Sequence, residues 1–407
     1  MTAVQTPPQR VGAQPRRSHW HRRASAVPLL YLAGLVIAGL LHPVLPVAHW
    51  LLIHLLLLGA ATNAIVQWSA HFAAVVLRAP EPAHRRAETA RLIGLNVGVL
   101  AVLAGTTASL RWLGVAGAAV VFGAVCAHLG TLAARLRRAL PARFSVTVHY
   151  YLAAGVALLV GIPLGAVQLV SDVGSDRLVL VHAHVNLLGW ILFTVLGTLV
   201  TLWPTTLRTR MSDRAVHAAS TALLPAMVGL SVLAAGLLTW WRPVAVSGLA
   251  VLAGAIGWAL WPALESARRR PPGTFATWSI AAGLGWLMVA LVRDGVLLAT
   301  SPDPGAAHAG LALVLLPLLV GFVGQVLLGA MAYLVPMVLG GGPAKVREHT
   351  ARLDRHWAQR VVMLNLALVV FLSPVSGQVR ITTSVLLLVA LVQFLWPAAL
   401  VLLRGRR

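Results

Sequence analysis

The sequence predicts an all-α integral membrane protein of about twelve transmembrane helices, with both termini on the cytoplasmic side. Three observations carry that expectation. The 407 residues are 59% hydrophobic and 10% charged, with a mean hydropathy of +0.84, which is more apolar material than a soluble chain of this length needs to fill a core. Stretches of about 20 mostly apolar residues, the length a bilayer demands, recur twelve times. The basic residues fall in alternate connections between them, the distribution that orients membrane helices.

Residues 1–26 carry Arg10, Arg16, Arg17, Arg22 and Arg23 among prolines and polar residues and read as a disordered basic cytoplasmic tail. Residues 27–407 read as one polytopic transmembrane domain. The first apolar run starts near Val27, and its length and lack of a small-residue cleavage pattern make it an uncleaved helix. The others start near Val47, Ala87, Arg111, Phe144, Leu178, Ala215, Pro243, Thr274, Ala307, Trp357 and Thr382. Arg78 to Arg91, Arg135 to Arg143, Arg208 to Arg214, Arg268 to Arg270, Lys345 to Arg355 and Arg404 to Arg407 form the basic set, expected inside. Ser171 to Asp176, Trp240 to Arg242, Ser301 to Gly305 and Ser373 to Val379 form the other set, with few bases. Trp203 and the Trp240-Trp241 pair are expected as interfacial anchors. Gly340, Gly341, Gly342 and Pro343 end the tenth helix as a stop signal, with no helix start expected directly after them.

Composition excludes several functions. The net charge of +22 is spread over short loops and orients helices, so it forms no nucleic-acid face. Cys126 is the only cysteine, which rules out an intramolecular disulfide or a cysteine-ligated metal cluster. A metal site therefore has to come from histidine. No phosphate-binding loop, catalytic triad or nucleophile elbow is present.

The 15 histidines are the informative residues. His19, His21, His84, His217, His349 and His356 fall in the tail, inner loops or inner helix ends, and His71, His128 and His149 near the inner side read as polar helix contacts. His49 and His54 on the second helix, His182 and His184 on the sixth and His308 on the tenth all lie in the outer half, where an ionisable group is costly and marks a functional site. Residues two apart on a helix point about 200° apart, so His182 and His184 face different partners. Neutral imidazole ligates copper and haem iron, and the second and sixth helices can clamp a cofactor between them.

The segment His182-Ala183-His184-Val185-Asn186-Leu187-Leu188-Gly189-Trp190 resembles the haem-ligand helix of haem–copper oxidases and the histidine-rich helices of the NnrS family. The longer run from Gly197 through Trp203-Pro204 to Met211 resembles the membrane region of actinobacterial copper-oxidase, nitrite-reductase-like proteins. Histidines on every fourth helix are similar to the three four-helix arcs of a haem–copper oxidase subunit I. The resemblance implies haem or copper as cofactors, with His182, His184 and one of His49 or His54 as haem ligands; with His308 facing a second site, the cofactor-binding candidates are His49, His54, His182, His184 and His308, and the metal-ligand candidates are His182, His184 and His308. It departs from the oxidases on the seventh helix, which offers only His217, so it does not imply oxygen or nitric oxide reduction.

The function expected is electron transfer, or a role in nitrogen-oxide or copper metabolism, in the inner membrane of a bacterium. An extracytoplasmic cupredoxin or other electron-transfer protein is the expected partner besides the lipid bilayer. Asn186 and Gln325 are expected to support the ligands through hydrogen bonds. The alternative is a secondary transporter or channel lined by residues such as Asn63, Gln67, Asn96, Gln168 and Asn365. Its weakness at this level is that every carboxylate is placed in a loop or at a helix end, Asp294 being the nearest to a span.

Overall fold

The computed structural model describes residues 13–79, 85–171 and 175–404. Every regular element among them is helical, and eleven helices are long and apolar enough to cross a membrane. In chain order they are α1 (Ala13–Leu40), α2 (Ala48–Val76), α3 (Arg86–Thr107), α4 (Arg111–Arg138), α5 (Val146–Val170), α6 (Asp176–Leu207), α7 (Ala215–Thr239), α8 (Arg242–Arg269), α9 (Phe275–Thr300) and α10 (Pro304–Leu339). After these come α11 (Gly342–Leu353), α12 (Trp357–Leu372) and α13 (Gly377–Arg404). The twelfth expected span is α12, which at 16 residues is shorter than the usual spanning length.

Three differences from the sequence reading have physical causes. The expected tail is helical from Ala13, because its last turns pack on α2: the Gln67 amide donates to Ser25 Oγ and the His21 ring stacks near Trp68. A helix does follow the glycine stop. Gly340, Gly341 and Gly342 all take positive φ, which reverses the chain, and Pro343 then sits in the first turn of α11, where its missing N–H costs nothing. Trp203 is buried, not interfacial, and its indole donates to the Ala263 carbonyl of α8.

The helices pair in a pattern that occurs three times. In the units α1–α4, α5–α8 and α9–α13, the first helix packs on the second, and the last two helices form an antiparallel hairpin: α3–α4, α7–α8 and α12–α13. The last helix of each unit packs on the first of the next, as α4 on α5, α8 on α9 and α13 back on α1, so the ring closes. The second helices face the middle: 72% of the apolar window of α6 and 61% of that of α10 are buried, against 28% for α5 and α13. In the first two hairpins glycine lets backbones touch, since a Cβ on Gly98 or Gly229 would strike the facing Gly117 or Gly248 carbonyl.

Each inner helix carries one π-helical segment: Leu55–Ala61 in α2, Val185–Ile191 in α6 and Pro317–Gly324 in α10. A π turn adds a residue and frees a carbonyl, and such turns cluster at functional sites. A glycine lies at the same place in each, Gly59, Gly189 and Gly321, and a Cβ on it would meet Tyr31 of α1, Ala157 of α5 or Trp286 of α9. These contacts set the same register of the second helix on the first in every unit.

Candidate functional site

The register aligns His54-Leu55-Leu56-Leu57-Leu58-Gly59 with His184-Val185-Asn186-Leu187-Leu188-Gly189 and with Leu316-Pro317-Leu318-Leu319-Val320-Gly321. A histidine thus ends the α-helical turns before the π segment in the first two units. The repeat of histidine and glycine five apart was legible in the sequence and is the signal that the spacing of single histidines misses.

His54 and His182 come together. Their ring centroids are 6.3 Å apart and their planes are inclined by 24°. His54 Nδ1–H donates to the Trp50 carbonyl at 2.8 Å, and the Trp50 indole stacks on the ring at 4.0 Å. His182 Nδ1–H donates across to the Gly161 carbonyl of α5 at 3.0 Å. In both rings the proton is held on Nδ1, which leaves Nε2 with its lone pair, the arrangement that orients an imidazole for a metal. Asn186, one turn on, donates to the His182 carbonyl at 2.7 Å and lies over Gly161, where a Cβ would collide with its amide. A Cβ on Gly165 would stand 2.7 Å from His182 Cε1. Gly161 and Gly165, four apart, are the slot that admits these two side chains.

His184 has other partners. Its Nδ1 donates to the Leu180 carbonyl at 2.6 Å and its Nε2 meets both oxygens of Asp294 on α9, at 3.0 and 3.1 Å. Both residues are buried, His184 at 4% and Asp294 at 2% exposure. Asp294 is therefore no helix-end carboxylate, because α9 runs on to Thr300. With both nitrogens bonded to acceptors, His184 has no lone pair left for a metal, in contrast to the ligand role expected of it. His49 is exposed and stands edge-on to His42 at 5.3 Å. His308 is exposed too, its Nδ1 2.6 Å from the Asp176 carboxylate at the start of α6. Neither is beside the His54–His182 pair by any contact. No group of three or more histidine, cysteine or acidic side chains placed to hold an ion occurs among the described residues.

Gln325 belongs elsewhere as well. It exchanges two 3.0 Å hydrogen bonds with Asn365 of α12, and the Trp286 indole donates to the same Asn365 oxygen at 2.7 Å. The first unit repeats the device: Asn63 and Asn96 exchange bonds of 3.2 and 2.8 Å, and the Tyr31 hydroxyl donates to Asn96. Each trio ties three helices of its unit together, α1, α2 and α3 in one and α9, α10 and α12 in the other, so these amides are structural. Of the inner histidines, His128 is buried with Nε2 on the Ser69 hydroxyl, and His149 is exposed with Nδ1 on the Ser145 carbonyl. His84 and the side chain of His19 lie outside the described residues.

No protein-family model and no curated protein matches the chain.

Proposed function

We propose that this is a twelve-span protein of the bacterial inner membrane, with both termini inside, that holds a redox-active transition metal, copper or the iron of a haem, between His54 and His182. The observation that carries this reading is the pair of imidazoles on different inner helices, each with Nδ1–H tied to a carbonyl and Nε2 left as a donor atom. A linear bridge through one ion, with about 2 Å from metal to each nitrogen and about 1 Å from nitrogen to ring centre, sets ring centres about 6 Å apart, close to the observed 6.3 Å. Neutral imidazole suits copper and iron. The bound metal would supply one-electron chemistry. Trp50, Gly161 and Asn186 fix the rings around it, half-buried between α2, α5 and α6.

The three repeated units and their closed ring also support a subunit-I-like arrangement, with the histidines on the second helix of the first two units. The distribution of basic connections supports an extracytoplasmic position for His54 and His182, where a cupredoxin or similar partner would exchange electrons. The test is the metal content and optical spectrum, oxidised and reduced, of detergent-purified protein beside the His54→Ala and His182→Ala variants. A chromophore or stoichiometric copper that each variant loses supports the reading. A metal-free, colourless wild type from cells supplied with haem and copper refutes it.

A second reading, a proton-coupled carrier, draws on a different observation: the His184–Asp294 pair is a buried protonatable carboxylate of the kind that marks ion pathways. Proton uptake by proteoliposomes that Asp294→Asn abolishes and His54→Ala leaves intact would favour it over the metal centre.

A further inference from the structure

At the opposite end of the first unit, four helices line an open cleft formed by Trp20, Gln67, His71, Glu88, Arg91 and Arg135 among others. We propose that this cleft binds a phosphate oxyanion, either the headgroup of an anionic phospholipid or a free phosphate. The charge is the first reason. Arg85 and Arg135 converge on Glu88 at 2.9 and 3.1 Å, and Arg91, a third guanidinium, reaches only the Thr131 hydroxyl, its Nε buried without a partner. Three half-buried guanidiniums thus share the single Glu88 carboxylate, an excess of positive charge that calls for a further anion, and a guanidinium matches phosphate geometry in particular.

The second reason is an unsatisfied acceptor. Gln67, 3% exposed, spends its amide nitrogen on Ser25 and leaves Oε1 buried and unpartnered. A ligand that neutralises Arg91 and also brings a hydroxyl, as dihydrogen phosphate or a glycerol headgroup does, satisfies both residues. A carboxylate or chloride satisfies only the first. The cleft also opens at the N-terminus of α3, where the first-turn N–H groups and the helix dipole favour an anion.

The test uses full-length protein in a neutral detergent. Thermal melting is followed against inorganic phosphate, with chloride at equal ionic strength as the reference, and lipid adducts are counted by native mass spectrometry with phosphatidylglycerol or phosphatidylcholine. The wild type is compared with Arg91→Gln, Gln67→Leu and, as control, the exposed Arg137→Gln. A phosphate-specific rise in melting temperature, with apparent affinity about tenfold weaker in Arg91→Gln and unchanged in Arg137→Gln, assigns the site to free phosphate. Retention of phosphatidylglycerol alone, lost in Arg91→Gln, assigns it to the headgroup. Should Arg91→Gln fail to fold, Gln67→Leu carries the comparison and weakens the same binding. Phosphate and phosphatidylglycerol responses that are equal in wild type and both cleft variants, or no response to either, overturn the proposal.

Discussion

Replacing Asp294 with alanine isolates the His184–Asp294 pair and measures how strongly α6 is tied to α9. Both imidazole nitrogens face acceptors at 2.6 to 3.1 Å, so the geometry calls for a proton on each and a charged pair. Removing one member of a buried pair costs about 3–5 kcal/mol, because the other is left without its counter-charge, whereas replacing both with apolar residues is often close to neutral. A neutral hydrogen bond between membrane helices is worth far less, about 0.6 kcal/mol on average and about 1.7 at most. The coupling energy therefore discriminates. Unfolding in mixed micelles with increasing dodecyl sulfate, for wild type, Asp294→Ala, His184→Leu and the double variant, should give a coupling above about 2 kcal/mol. Asp294→Asn, which keeps an acceptor, should fall between wild type and Asp294→Ala. A coupling below about 1 kcal/mol would mean that the pair is neutral or open to water, and the charged-pair reasoning would fail.

Other expectations test separate parts of the structure. Gly165→Ala should push the His182 ring aside and lower metal occupancy, read by elemental analysis, while helicity by circular dichroism stays at the wild-type value. Asn365→Leu leaves both the Gln325 amide and the Trp286 indole without their partner and should destabilise by about 2–3 kcal/mol in the same micelle assay; Asn96→Leu, at the matching place in the first unit, should cost a similar amount. On α11, burial of the His349 ring, with Arg352 and Lys345 nearby and only Glu348 opposing, holds its pKa below the ordinary imidazole value. The unfolded chain then takes up the proton first, so this contribution to stability is present at neutral pH and is lost as pH falls through about 6.5 and below. His349→Gln should flatten that part of the profile of melting temperature against pH; an unchanged slope would contradict the assignment.

Hydropathy was enough to read the fold class, because a span needs only length and apolarity, and predicted starts such as Val47 and Phe144 lie within two residues of the observed Ala48 and Val146. What it could not read was the partner of each polar side chain. Asn186 beside His182 follows from helical spacing alone. His184 opposite Asp294 does not, since the residues are 110 apart in sequence. Gln325 looked like a ligand support only because it follows a histidine-bearing helix start, whereas Asn365 and Trp286 decide its role. The short α12 and the amphipathic α11 blur a count that rests on windows of fixed length.

The threefold register explains why two equivalent histidines differ. His54 and His184 hold the same place before their π segments, and each gives its Nδ1–H to the carbonyl four residues earlier, Trp50 and Leu180. The second helix of each unit packs on the first helix of the next, α2 on α5 and α6 on α9. Counting from the residues that meet the π-segment glycines, Ala157 on α5 and Trp286 on α9, two helical turns lead to Gly165 and Asp294 respectively. Where α9 presents a carboxylate to His184, α5 presents no side chain, and the vacated volume is taken by His182, which a Cβ at 165 would displace. One interface is therefore closed by a hydrogen-bonded pair with every nitrogen spent, and the other keeps two imidazoles with Nε2 unspent. On a backbone that repeats itself, the substitution of glycine for an acid separates a helix tie from a ligand pair. Chemistry is expected where His54 and His182 meet and stability where His184 meets Asp294.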